Sequence, residues 1–134
     1  MSRCLGVDVG AKRVGIALSD PLGLTAAPLA VVERAIALEE IARLAQIHGV
    51  GTIVVGLPTS LGGGEGMSAA DARSLGDQLT RATTAEIVYL DERFTSRMAE
   101  SALLESGMKR RERKNTIDKV AAAIILQDYL NSLK

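Results

Sequence analysis

The sequence predicts an α/β domain: a five-stranded mixed sheet with helices on its faces. Three observations carry that expectation. Three short alternating stretches follow one another across tight connections in the first 32 residues, the pattern of an antiparallel meander. Helical and strand patterns then alternate, so two further strands enter through helical crossovers. The chain ends on a stretch that is apolar around most of a helix, as a helix laid against a sheet must be.

Residues 4–20 organise the rest. Period two sends Leu5, Val7 and Val9 to one face of the first strand, and Gly6, Asp8 and Gly10 to the other. A carboxylate so placed is partly desolvated, which is costly without a partner. Two readings fit it. Asp8 binds a cation in a cleft, with the flanking glycines as clearance for metal and phosphate, or it caps a turn or pairs with a nearby Arg or Lys. The second strand covers 14–19, with Val14, Ile16 and Leu18 alternating against Gly15, Ala17 and Ser19. Asp20-Pro21-Leu22-Gly23 is a turn by composition. The third strand is expected over 25–32, and Pro28 confines it to an edge.

Leu38, Ile41, Ala42, Ala45 and His48 then recur at helical spacing, which predicts a helix over 34–48 stopped by Gly49. His48, the only histidine, belongs to that helix end and has no catalytic role. Residues 52–55 read as a buried strand leading into Gly56-Leu57-Pro58. The glycine-rich segment 59–66 lacks the spacing of a phosphate-binding loop, and no lysine follows it before Lys109, so it reads as a loop bordering the site. Ser68 and Asp71 form a variant capping box for a helix that buries Ala72, Leu75, Leu79 and Ala82. Gly76 would let that helix approach a neighbour. A strand over 86–90 runs into Asp91-Glu92-Arg93-Phe94-Thr95-Ser96. Thr95 or Ser96 can cap a helix over 97–106 that Gly107 ends. Residues 108–114 read as a basic connection, and the last helix is expected over 116–133.

A length of 134 residues implies one domain, 1–134. The 16 basic and 16 acidic residues cancel, but residues 107–134 hold 7 Lys/Arg against 3 Asp/Glu. Total charge demands no nucleic-acid partner, yet the C-terminal end offers a basic patch. Cys4 stands alone, which excludes a disulfide or a cysteine-based zinc site within the chain. No apolar run approaches the ~20 residues of a membrane span. With the N-terminus running straight into a strand, the expectation is a cytoplasmic protein. Tyr89, Phe94 and Tyr129 are the only aromatics, too few for a reader of single strands by stacking.

Two further acidic positions stand out beside Asp8. Asp91 and Glu92 sit at the C-terminal end of a strand, where open α/β sheets place their sites. Asp118 shares a helical face with Ala121, Ala122, Ile125 and Tyr129 and should look toward the sheet. Each has a plain alternative: Asp91 and Glu92 as acids favoured at a helix N-terminus, and Asp118 as half of a cap with Asn115. Together, three carboxylates from two strands and a helix can converge. Hard divalent cations take oxygen ligands. Two such ions ~4 Å apart activate water and stabilise the leaving oxygen of a phosphodiester. Lys12, Arg13, Arg93 and the run Lys109, Arg110, Arg111, Arg113 and Lys114 would then hold a phosphate backbone. Without that convergence the basic run is a solvated loop.

The stretches GVDVGAKRVGIALSD, IVVGLP, DERFTS and IDKVAAAIILQDYL, in that order over essentially the whole chain, resemble the YqgF family, also named RuvX. Its members are described as pre-16S rRNA nucleases and as Holliday junction resolvases. Any one motif is weak; the four in order are specific. The resemblance implies a ribonuclease H-like fold related to the RuvC resolvases. It also implies a cytoplasmic bacterial enzyme, a Mg²⁺- or Mn²⁺-dependent nuclease that hydrolyses phosphodiester bonds in maturing the 5′ end of 16S rRNA. It places the catalytic acids on Asp8, on Asp91 or Glu92, and on Asp118, so these four are the metal-ligand candidates. Glu92 is preferred to Asp91: alternation turns one of the pair away, and a longer side chain better spans nonadjacent strands ~9–10 Å apart. The RuvC pattern has an acid at the end of the fourth strand. Here that strand ends in Gly56-Leu57-Pro58, so the second carboxylate must come from the next strand.

Pre-rRNA and branched DNA would be held through the same backbone chemistry. A homodimer would favour the junction, because a two-fold substrate suits a two-fold enzyme. The actin and sugar-kinase ATPases also carry an Asp-x-Gly turn on a first strand, but they clamp nucleotide between two domains and this chain supplies one. A non-enzymatic reading is a catalytically inactive nucleic-acid-binding module, in which Asp8→Asn would leave RNA binding and cellular function intact.

Overall fold

The computed structural model describes residues 2–57, 67–91 and 110–133, with the side chains of all of these except 67, 68 and 110–119. Strands β1 (Arg3–Val9), β2 (Arg13–Ser19) and β3 (Ala26–Glu33) lead through a 3₁₀ turn (Arg34–Ile36) into α1 (Ala37–Ile47). Then come β4 (Val50–Leu57), α2 (Met67–Ala82), β5 (Glu86–Asp91) and α3 (Arg110–Ser132). The sheet order is β3-β2-β1-β4-β5. The meander β1-β2-β3 is antiparallel, while β4 runs parallel to β1 and β5 parallel to β4. This is the five-stranded mixed sheet read from the sequence. β3 is an edge strand, where the missing N–H of Pro28 is tolerated. β4 separates β1 from β5.

The period of two divides each strand between two cores. Leu5, Val7 and Val9 of β1, Val14 and Ile16 of β2, and Ile53, Val55 and Leu57 of β4 pack with Ala37, Ile41 and Ala45 of α1 and Ala72, Leu75 and Leu79 of α2. On the opposite face, Ala17 and Val54 lie under Ala122, Ile125, Leu126 and Leu130 of α3. β4 reads as a continuous apolar run because both of its faces are covered. α1 ends at a C-cap, His48, followed by Gly49 in the left-handed region at φ +63. Gly76 permits the close approach expected of it: a Cβ there would fall on the hydroxyl and ring of Tyr89.

The turn after β2 is held by Asp20. Its carboxylate Oδ1 accepts the N–H groups of Leu24 at 2.7 Å and Thr25 at 3.1 Å. These bonds draw the Asp20 carboxyl below its usual range, that from Thr25 most strongly. Gly23 takes φ +70 in the same turn.

Two expectations are corrected. Asp71 is not part of a helix cap: its carboxylate accepts Arg34 Nη2 at 2.7 Å and Nε at 3.2 Å, tying the 3₁₀ turn to α2. The stretch 110–114, read as part of a connection, is already helical. Arg, Glu and Lys are good helix formers, and nothing in that run breaks a helix before Asn115. The expected helix over 97–106 lies outside the described residues.

Candidate nuclease site

Asp8 is the second-last residue of β1, the strand at the centre of the sheet. Its face is fixed by its neighbours: Val7 and Val9 enter the α1–α2 core, so Asp8 and Gly6 belong to the α3 side. Asp8 is half-buried. Across the antiparallel pair it stands opposite Gly15. Across the parallel pair Val7 is level with Val55, so the next step brings Asp8 level with Gly56. Neither strand neighbour has a side chain to lay over the carboxylate. Both glycines are themselves buried, so Asp8 stands between two strand positions that carry no side chain.

The glycines flanking Asp8 in sequence do other work, which corrects their reading as clearance for metal and phosphate. A Cβ on Gly6 would stand 2.7 Å from the Ala122 carbonyl oxygen and 2.7 Å from Leu126 Cβ, so Gly6 is the seat of α3. Gly10 closes the β1–β2 turn, its N–H donating to Arg13 O at 2.9 Å.

α3 runs antiparallel to β1. Ala122 and Leu126 cover Gly6, whereas Tyr129 lies in one cluster with Cys4, nearer the start of the strand. Gln127 fixes the same end. It accepts the Ala26 N–H at 3.0 Å through Oε1 and donates from Nε2 to Leu24 O at 3.1 Å. The earlier turns of α3 therefore lead toward the Asp8 end of β1. Asp118 is the ninth residue of α3, not a residue of its first turn. Asn115 is inside the helix, so the reading of Asp118 as a capping acid falls.

Asp91 closes β5 and is exposed. It is in register with Leu57, a member of the α1–α2 core, and so belongs to the sheet face opposite Asp8. Glu92, Arg93 and Lys109 lie outside the described residues, as do the side chains of Arg110, Arg111, Arg113, Lys114 and Asp118. Among the described residues no three His, Cys, Asp or Glu side chains form a metal-sized cluster. Lys12 is exposed in the β1–β2 turn. Arg13, expected in the connection, is the first residue of β2 and faces Glu33 across the ladder.

Cys4 and Tyr129 lie together at the far end of the α3 side. Burial pushes the Cys4 thiol up, opposed by a hydrogen bond with Thr52. Burial also raises the Tyr129 phenol, with Cys4 and Glu86 adding to it. The reading from sequence missed the Arg34–Asp71 pair, whose partners are 37 residues apart with no local pattern to link them. It also missed Gly15 and Gly56 as neighbours of Asp8, which the strand order alone brings together.

A meander continued by two parallel strands, helices on both faces and a carboxylate on the central strand together define a ribonuclease H-like fold of the RuvC type. RuvC of T. thermophilus in complex with a Holliday junction substrate matches with TM-score 0.62 at 13% identity, over 99% of this chain and 96% of that one. The fowlpox virus resolvase, in complex with Holliday junction DNA, matches with TM-score 0.58 at 12% identity, over 98% of each chain. At such identities the likeness is one of fold. The chain belongs to the RuvX family, described as Holliday junction resolvase, whose model matches residues 2–132. A relative from Halalkalibacterium halodurans is 44% identical over 134 residues, covering 96% of this chain and 96% of that protein. One from Lactococcus lactis subsp. lactis is 39% identical over 136 residues, covering 98% and 95%. Both carry the name "Putative pre-16S rRNA nuclease".

Proposed function

We propose that this chain, acting as one domain over 1–134, is a divalent-metal-dependent nuclease that hydrolyses phosphodiester bonds in 5′-end processing of pre-16S rRNA. The observation that carries the reading is the pairing of Asp8 with the direction of α3. From Gly6 to Asp8 is two strand residues, about 6.6 Å. From Ala122 back to Asp118 is four helical residues, about 6 Å. Because α3 and β1 are antiparallel, both displacements point the same way, and Ala122 already sits on Gly6. These matching displacements support Asp118 as a partner of Asp8. Family membership and the names of the relatives support the same chemistry.

The donor set suits Mg²⁺ or Mn²⁺: all of its members are carboxylates, and these ions take hard oxygen ligands. Asp8, Glu92 and Asp118 would hold the metal. The placement of Asp91 on the α1–α2 side favours Glu92 of the adjacent pair. When bound, the metal supplies positive charge that stabilises the developing charge on the phosphate and activates water. The protein supplies the rest. β1 is hydrogen-bonded on both sides, so Asp8 is held on a rigid strand. Gly15 and Gly56, the strand positions level with it, put no side chain against its carboxylate. Lys12, Arg13, Arg93, Lys109, Arg110, Arg111, Arg113 and Lys114 are the cations proposed to engage the backbone.

The family's description and its fold neighbours favour one second reading, resolution of branched DNA, for which a homodimer would be the suited assembly. A role in ribosome maturation supports a cytoplasmic location. No helix among the described residues is long and apolar enough to cross a membrane. The test is cleavage of a pre-16S rRNA fragment and of a four-way DNA junction by the purified protein, with Mg²⁺, with Mn²⁺ and with a chelator. Metal-dependent cleavage of the RNA supports the first reading, and cleavage of the junction alone supports the second. Cleavage that survives chelation overturns the metal chemistry.

A further inference from the structure

A groove of about 610 Å³ opens beside the β1–β2 turn, lined by Ala11, Lys12, Arg13, Glu33, Arg34 and Ala35. That size lies within the ~300–1,000 Å³ of ligand-binding clefts. Its two walls come from different parts of the chain and are fastened together. The Arg34 N–H donates to Lys12 O at 2.9 Å, and Arg13 stands opposite Glu33 in the β2–β3 ladder. Three of the six lining residues are cationic and one is acidic. The turn starts where β1 ends, and four residues of chain hold Lys12 within about 14 Å of Asp8.

Arg34 is the residue that nothing in the sequence singled out. Asp71 grips its guanidinium through Nη2 and Nε. That occupies two of the five N–H donors of the fork and fixes its plane. The remaining donors are those a phosphate takes, and an oriented fork loses less freedom on binding than a loose one. Lys12, exposed on the facing wall, offers a mobile point charge.

We infer that this groove holds the phosphodiester backbone flanking the scissile bond, with Lys12 and Arg34 as its contacts and Asp71 as the positioning residue for Arg34. The inference rests on the nuclease reading above. The shared chemistry is a nucleic-acid backbone, whether RNA or DNA.

The test is performed in an Asp8→Asn background, where turnover is blocked. Binding of a structured pre-16S rRNA fragment and of a four-way DNA junction is titrated over a range of salt concentrations. Each lost phosphate contact lowers the slope of log Kobs against log[salt] by about 0.9 on duplex DNA and about 0.7 on single strands. Lys12→Gln and Arg34→Gln are expected to show that drop. Arg34→Lys is expected to keep the slope and bind several-fold more weakly, because it keeps the charge and loses the fork. Arg81→Gln, at the C-terminal end of α2, is expected to leave both unchanged; folding of each variant is verified by circular dichroism. A slope change on one probe only assigns the groove to that nucleic acid. If Lys12→Gln and Arg34→Gln bind with the parental slope, the groove assignment is wrong and the nuclease reading stands. If the parental protein binds neither probe and wild type cleaves neither, the nuclease reading itself fails.

Discussion

Gly6 and Leu126 are in contact across the sheet–helix interface: a methyl group on Gly6 would lie 2.7 Å from Leu126 Cβ. That contact sets the height of α3 above β1, and with it the position of every residue on the earlier turns of the helix. Gly6→Ala must push α3 outward, since one obstacle is helix backbone and the other a Cβ, and neither can rotate away. Overpacking of this kind costs about 1–3 kcal/mol. Denaturant unfolding is expected to show that loss, and cleavage is expected to fall even where the variant is fully folded.

Gly15 faces Asp8 on the neighbouring strand. Gly15→Val adds a branched side chain beside the carboxylate. Small displacements of reacting groups are worth about a hundred-fold in rate. Cleavage is therefore expected to drop by ten- to hundred-fold at substrate saturation, with nucleic-acid binding retained in a filter or anisotropy assay.

The Asp20 turn gives the fold a pH dependence of known sign. Its folded carboxyl lies below the ordinary 3.8, because the Thr25 and Leu24 N–H groups favour the charged form. A lowered carboxyl stabilises the protein above its unfolded pKa, and the contribution is lost as pH falls through the folded one. Asp20→Ala is thus expected to lower Tm at neutral pH. The difference from wild type should shrink in scans taken progressively below that ordinary value.

The fold was legible because its signals are local. Alternation in Leu5-Gly6-Val7-Asp8-Val9, Pro28 at an edge and Gly49 after α1 each state their structure within a few residues. The surroundings of Asp8 were less legible, because they depend on which strands become neighbours. Gly15 and Gly56 meet Asp8 through the sheet order, while Gly6 and Gly10, each two residues away in sequence, serve a helix and a turn. The start of α3 was misplaced because a dense basic run resembles a solvated connection, although its residues are good helix formers. Correcting that start takes Asp118 out of the helix cap and makes it the ninth residue of α3.

The central claim is that Asp8 and Asp118 act on one phosphodiester through a shared divalent ion. It is tested by the single-turnover cleavage rate of Asp8→Asn and Asp118→Asn on pre-16S rRNA in Mg²⁺ or Mn²⁺, with binding measured in parallel. Partners outside the ligand sphere of a metal are already worth about ten- to hundred-fold. Each variant is therefore expected to lose more than about a hundred-fold in rate while binding RNA as wild type does. Wild-type cleavage by either variant would contradict the account.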